Sequence, residues 1–321
     1  MDTSFSPGLY YRHSGKFSPI GVLVAVVFGL LVGLPCAWLY AYLIRWNPIV
    51  YISILASLGF GGVIGYVVDT RLKSHKCRNV VTAGLASFIP ALVAYYVSWG
   101  VWLNIVTDVP TIAILQNPFD MWKLIGVVNE RGVWSLRGSG LVNGIPLWIV
   151  WAGEAGCIIG FAVYLAVHSI RESTYCENCD CFAKQTKGVC FVSAGTAPPS
   201  TDKAAFKAYR NGLKQHATEL KQHLEVKDFA YAEKLGAPDA MAWYSFDLAS
   251  CPQCNMTNTL SVSQFQLTIE GKGKKAKQKT TEHKVLHQLL LTSTEADSIR
   301  KLKDKLSPSA DQAATEGAAH A

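Results

Sequence analysis

The residues best placed to do chemistry are cysteines in two short runs. "CENCDC" supplies Cys176, Cys179 and Cys181, and "CPQC" supplies Cys251 and Cys254. Two CxxC pairs are what a four-thiolate metal site needs. Each pair turns tightly and brings two sulfurs to one side, and two such knuckles close a tetrahedral shell around Zn2+. The expected ligands are Cys176, Cys179, Cys251 and Cys254, with Cys181 as the leading substitute for Cys179. Cys190 is a further sulfur that spacing alone leaves available. Three other readings stay open. An iron–sulfur cluster takes the same ligands, the thiols could simply be buried or free, and a redox CxxC would open a helix in a βαβ unit, of which the sequence gives no sign.

"CPQC" is followed directly by "TNTLSVSQFQLTI", which alternates as a strand does. A knuckle running into a strand resembles the zinc-ribbon family. The resemblance covers about 30 residues in two pieces, roughly 174–182 and 249–270. It implies a closed, structural four-cysteine site that stabilises a small domain and performs no reaction. The sequence departs from the family pattern in one respect. Zinc ribbons usually separate their pairs by roughly 15 to 20 residues, whereas position 251 lies 72 beyond position 179 here. The segment 181–250 is expected to be a helical insertion, and the rest of the domain must bring the two knuckles together.

The elements around this cluster divide the chain in two. The first 169 residues hold 10 Lys+Arg and 6 Asp+Glu, and the remaining 152 hold 20 and 17. A bilayer crossing needs about 20 apolar residues, and four stretches qualify, near 20–43, 47–68, 80–104 and 145–168. The fold class expected is therefore a four-helix transmembrane domain (1–169) followed by a small α+β domain with a split zinc ribbon (170–305) and a disordered tail (306–321). The first span is too long for a cleaved signal peptide, and no small-x-small site follows it. Pro35 and Pro90 fall inside spans and are expected to kink them. Ser57, Gly61 and Gly65, and likewise Ala152, Gly156 and Gly160, recur four apart. Such stripes let helix backbones approach, within the bundle or in a homo-oligomer.

Loop charges set the expected orientation. The turn after the second span carries Arg71, Lys73, Lys76 and Arg78, whereas the first hairpin turn carries only Arg45. By the positive-inside rule both termini are cytoplasmic. The loop 105–144 then lies outside. In it Asn117 reads as an N-cap and Pro118 as the first helical residue, and Phe119, Trp122 and Ile125 follow at helical spacing. This predicts an amphipathic helix in contact with membrane lipid, with Trp122 and Trp134 at headgroup level.

Glu154 is the one charged residue between Arg137 and Arg171. A charge near the bilayer centre costs at least about 2.5–3.5 kcal/mol. Glu154 is therefore expected to face the bundle interior and hydrogen-bond to Ser53, Ser87, Tyr95 or Ser98. It is either a polar pin or an ion site.

In the second half, 203–223 reads as a helix with Phe206, Tyr209, Leu213, His216 and Leu220 along one face. "KVLHQLLLT" reads as a strand and "STEADSIRKLKDKL" as a final helix. His283 and His287 form an H-x3-H pair that reads as solvated surface. The turn "GKGKKAKQK" carries Lys272, Lys274, Lys275, Lys277 and Lys279, the composition of a solvated hairpin tip that could also touch anionic lipid.

The net charge of +7 lacks the dense basic stripe of a nucleic-acid binder. No nucleotide loop, nucleophile elbow or zincin motif is found. The reading is an integral membrane protein whose zinc domain recruits a cytoplasmic protein partner. The alternatives are a small transporter built on Glu154 and a membrane-tethered nucleic-acid binder.

Overall fold

A computed structural model describes residues 8–46, 50–133, 141–195, 203–237, 241–270 and 277–306. The contacts divide it into two units. One comprises 13–172, and the other comprises 1–12 together with 173–321.

The first unit contains four helices long and apolar enough to cross a bilayer. They are α1 (Pro19–Trp46), α2 (Val50–Ser74), α3 (Val80–Thr107) and a broken helix from Ile145 to Glu172. The break is a π turn, Gly156–Gly160, between α6 (Ile145–Ala155) and α7 (Phe161–Glu172). These helices are built inside out relative to a water-soluble bundle. Gly21, Ala25, Gly29, Gly33, Ala37 and Ala41 form the buried seam of α1. Large side chains such as Ile20, Leu23, Leu31, Leu39, Leu55 and Leu85 point outward. Lipid tails solvate leucine as well as a protein core does, so close backbone packing of small residues is what holds such helices together.

The stripe on α2 packs within the bundle. A Cβ on Gly61 would lie 2.2 Å from the Ile158 carbonyl oxygen of the π turn, and one on Gly65 would lie 2.6 Å from that of Ala162. The second stripe behaves differently. Gly156 and Gly160 meet nothing within 4 Å, because the π turn directs Ile158 toward α2 and leaves the glycines outside.

Between α3 and α6 lie α4 (Thr111–Gln116) and α5 (Pro118–Arg131). Asn117 caps α5 as expected, accepting from the backbone N–H groups of Phe119 and Asp120. Its inward face is Met121, Ile125 and Asn129. Phe119 is 80% and Trp122 63% exposed, so Ile125 does not share their face as the spacing suggested. Trp122 packs on Trp148, which in turn meets Trp151 edge to face. Trp134 lies outside the described residues.

The second unit is a four-stranded antiparallel sheet in the order β3 (Lys184–Ser193), β4 (Ala242–Ser250), β5 (Asn258–Glu270), β6 (Lys277–Leu291). A two-stranded ribbon, β1 (Tyr175–Cys176) and β2 (Cys181–Phe182), precedes it. Helices α8 (Lys203–Glu225), α9 (Phe229–Lys234) and α10 (Ser293–Leu306) bury Leu213, Leu220, Leu224, Ala232, Ile299 and Leu302 with the sheet residues Tyr244, Phe246, Leu260 and Leu289. On α8 the buried face runs through Ala217, not His216, which is exposed. The stretch 181–250 therefore carries strands as well as helices.

The N-terminal segment pairs with β6. Tyr10 bridges Leu289, and the Leu290 and Tyr11 N–H groups donate to the carbonyls of Leu9 and Gln288. Tyr10 also donates to Glu225 on α8, and the Tyr11 hydroxyl accepts from the Tyr175 N–H at 3.0 Å.

Candidate metal centre

Each cysteine pair sits on a turn closed by a residue in the left-handed backbone region. Asp180, directly after Cys179, has φ 54°, and Asn255, directly after Cys254, has φ 52°. Asn and Asp tolerate this conformation better than other side chains do. The first turn joins β1 to β2, pairing Cys176 with Cys181, and Tyr175 donates to Asp180 across it. In the second, the Asn255 N–H donates to the Cys251 carbonyl at 3.1 Å, and the Cys251 N–H donates to that of Thr257 at 3.0 Å. The two knuckles are alike. Cys176 and Cys251, the first cysteine of each pair, are buried, and Cys179 and Cys254 are half-buried.

The long separation of the pairs is resolved by strand register. β3 leaves the first knuckle and β4 enters the second, and Lys184 pairs with Ser250. The start of β3 and the end of β4 are thus neighbours, while α8 and α9 form an excursion from the far end of the same pair. Thr174, directly before β1, and Thr259 of β5 hold the first knuckle to the sheet through hydroxyls 2.7 Å apart.

The four sulfurs of Cys176, Cys179, Cys251 and Cys254 all lie within 4.8 Å of one another. A tetrahedron with Zn–S bonds of about 2.3 Å has sulfur–sulfur edges of about 3.8 Å. The Cys176–Cys254 separation is 3.7 Å. Donors face the sulfurs from outside. The Met256 N–H reaches Cys254 Sγ at 3.4 Å, and the Thr257 hydroxyl reaches Cys176 Sγ at 3.2 Å. Such outer contacts fix ligand orientation. Burial pushes the Cys251 thiol up, but backbone N–H groups of Cys254 and Gln253, with the neighbouring sulfurs, bring it down to about 6. Cys179 is raised, first by its hydrogen bond with Cys254.

Cys181 lies beside this group, its Sγ 3.8 Å from that of Cys251, but it is not one of the four whose sulfurs all lie within 4.8 Å of one another. Cys190 is buried in the sheet core, and burial pushes its thiol up to about 12. Among the described residues the four-cysteine group is the one cluster of potential ligands close enough to share an ion. His283 is exposed and His287 half-buried on β6. Of the lysine turn, Lys272, Lys274 and Lys275 lie outside the described residues. Lys277 opens β6 and Lys279 is exposed on it.

In the helical unit, Glu154 is half-buried, and the Tyr40 hydroxyl donates to it at 2.5 Å. The hydroxyls of Tyr40 and Ser57 are 2.8 Å apart, and Ser57 donates to the Ser53 carbonyl. Other expected partners point elsewhere: Ser87 donates to the Ala162 carbonyl, Tyr95 to that of Trp151 and Ser98 to that of Tyr95. Tyr40 was missed in the sequence, although it falls on the small-residue seam of α1, where a large polar side chain must be accommodated inside.

No protein-family model matches the chain, and no curated protein and no solved structure matches it.

Proposed function

We propose that this is a multi-pass membrane protein whose cytoplasmic unit is clamped by one structural Zn2+ and serves as an interaction or regulatory module. The observation that carries the reading is the pair of like knuckles that brings four cysteine sulfurs within 4.8 Å of one another. Cys176, Cys179, Cys251 and Cys254 would hold the ion. All four positions of a tetrahedral shell are then protein sulfur, and none is left for water or substrate. The metal would cross-link residues remote in sequence and tie the two knuckles together.

Metal analysis of the full chain purified in detergent tests this. About one zinc per chain is expected, lost in Cys251→Ser and in Cys179→Ser. Cys181→Ser should keep full occupancy, because its sulfur stands outside the set of four. Iron in place of zinc, or zinc retained in Cys251→Ser, overturns the assignment.

A further inference from the structure

We propose that the groove bounded by the start of β3, the 251–255 knuckle and α10 docks an acidic peptide segment of a partner protein. The proposal rests on the interaction-module reading above and names the partner's chemistry. The groove encloses about 740 Å3, within the range of about 300–1,000 Å3 that ligand sites occupy.

Its charge is one-sided. Lys184 and Lys187 enter from β3 and Lys303 from α10, against the carboxylate of Asp304, while Arg300 is paired with Asp297. The three lysines are exposed, and among the described residues none has a carboxylate within ion-pair distance.

Arg300 braces the groove. Its guanidinium donates to Asp297 at 2.5 Å, to Ser250 Oγ at 2.8 Å and to Asn255 Oδ1 at 3.4 Å. With Arg300 taken up in this way, the charge offered to a partner is that of the three lysines.

The shape fits an extended peptide. β3 is an end strand of the sheet and breaks register with β4 between Thr186 and Cys190. The bulge carries Lys187 into the groove wall and gives the Gly188 N–H to the Asp247 carboxylate at 2.8 Å, and among the described residues β3 has no strand partner on its outer edge, where a strand can add. Val189 and Leu248 contribute apolar floor. Lysines on an end strand also discourage self-association, but that role does not explain why Lys303 converges from a separate helix. None of the lining residues is aromatic, so the stacking platform of a single-stranded nucleic-acid site is missing.

Ser250 and Asn255 flank the second knuckle, so the metal centre supports the position of Arg300.

The test pans the full chain, in detergent micelles and with zinc content measured, against a random octapeptide library. A selected consensus rich in Asp and Glu is expected. Its affinity should fall at least tenfold in Lys187→Glu/Lys303→Glu while zinc content stays unchanged. Selected peptides without acidic bias, or acidic peptides indifferent to the charge reversal, overturn the proposal. So does binding of phosphatidylglycerol vesicles or a single-stranded oligonucleotide that is lost in the double variant when no acidic peptide is selected. A zinc-loaded chain that selects nothing acidic fails the groove alone, whereas a chain that binds acidic peptides without zinc fails the metal reading alone.

Discussion

A carboxyl group on an apolar helix has to find donors, and Glu154 finds one in Tyr40, which is tied in turn to Ser57. The chain of hydroxyls connects α6 to α1 and α2 and supports the polar-pin reading. Glutamine keeps a carbonyl that can accept from Tyr40. Glu154→Gln is therefore expected to shift stability in detergent by no more than about 1 kcal/mol, the net worth of an ordinary hydrogen bond. Tyr40→Phe leaves the carboxyl without its donor and should cost more, about 1–3 kcal/mol. Thermal unfolding of the two variants gives the comparison. A Glu154→Gln chain that stays folded yet loses a measurable ion flux would replace the pin with a transport site. At this scale the sequence was legible where chemistry is local. The CxxC pairs announced themselves, because two thiols three positions apart on a turn need no distant information. The partner of Glu154 did not, since 114 positions separate it from Tyr40 and only the packing of three helices makes them neighbours.

Helices and strands were legible where hydrophobic length or period is strong. The four long apolar helices appear close to the limits expected for spans, and Asn117 caps α5 as its type and the following proline require. The roles of the two glycine stripes were not legible, because spacing of four says that backbones can approach, not which ones do. The π turn decides it by turning Ile158 toward Gly61. Gly61→Ala places a methyl group against a backbone carbonyl that cannot rotate away, and overpacking of this kind typically costs about 1–3 kcal/mol. Gly156→Ala meets open space and should stay within about 0.5 kcal/mol of the parent. Thermal unfolding in detergent separates the two. A Gly156→Ala chain as damaged as Gly61→Ala would mean that a second copy packs on the open stripe. The same limit explains the knuckles. The 72-residue interval looked like an obstacle to a zinc ribbon because sequence distance was mistaken for spatial distance, whereas the β3–β4 register cancels it.

For the whole molecule, the pairing of residues 9–11 with β6 places the N-terminal segment and the residues after 173 in one folded unit. The two must then lie on one side of any membrane the helices cross, which an even number of crossings satisfies. Which side is a separate matter, and charge argues it. Arg12, Lys16 and the four basic residues of the 71–78 turn fall on the side of the termini. Arg45, Lys123, Arg131 and Arg137 fall on the other. Basic residues near span ends resist translocation, so the termini and the cysteine-bearing unit are expected inside. The outward side would carry α5, whose exposed Phe119 and Trp122 suit the headgroup layer. A thiol probe reads this directly. Lys123 and Lys301 are both exposed in the described residues. In intact cells an impermeant maleimide should label Lys123→Cys, while Lys301→Cys should react only after permeabilisation. Labelling of Lys301→Cys alone would invert the topology and move the cysteine cluster to the outer face. Labelling of both in intact cells would break the even-crossing arrangement, and the strand pairing of residues 9–11 with β6 would have to be abandoned with it.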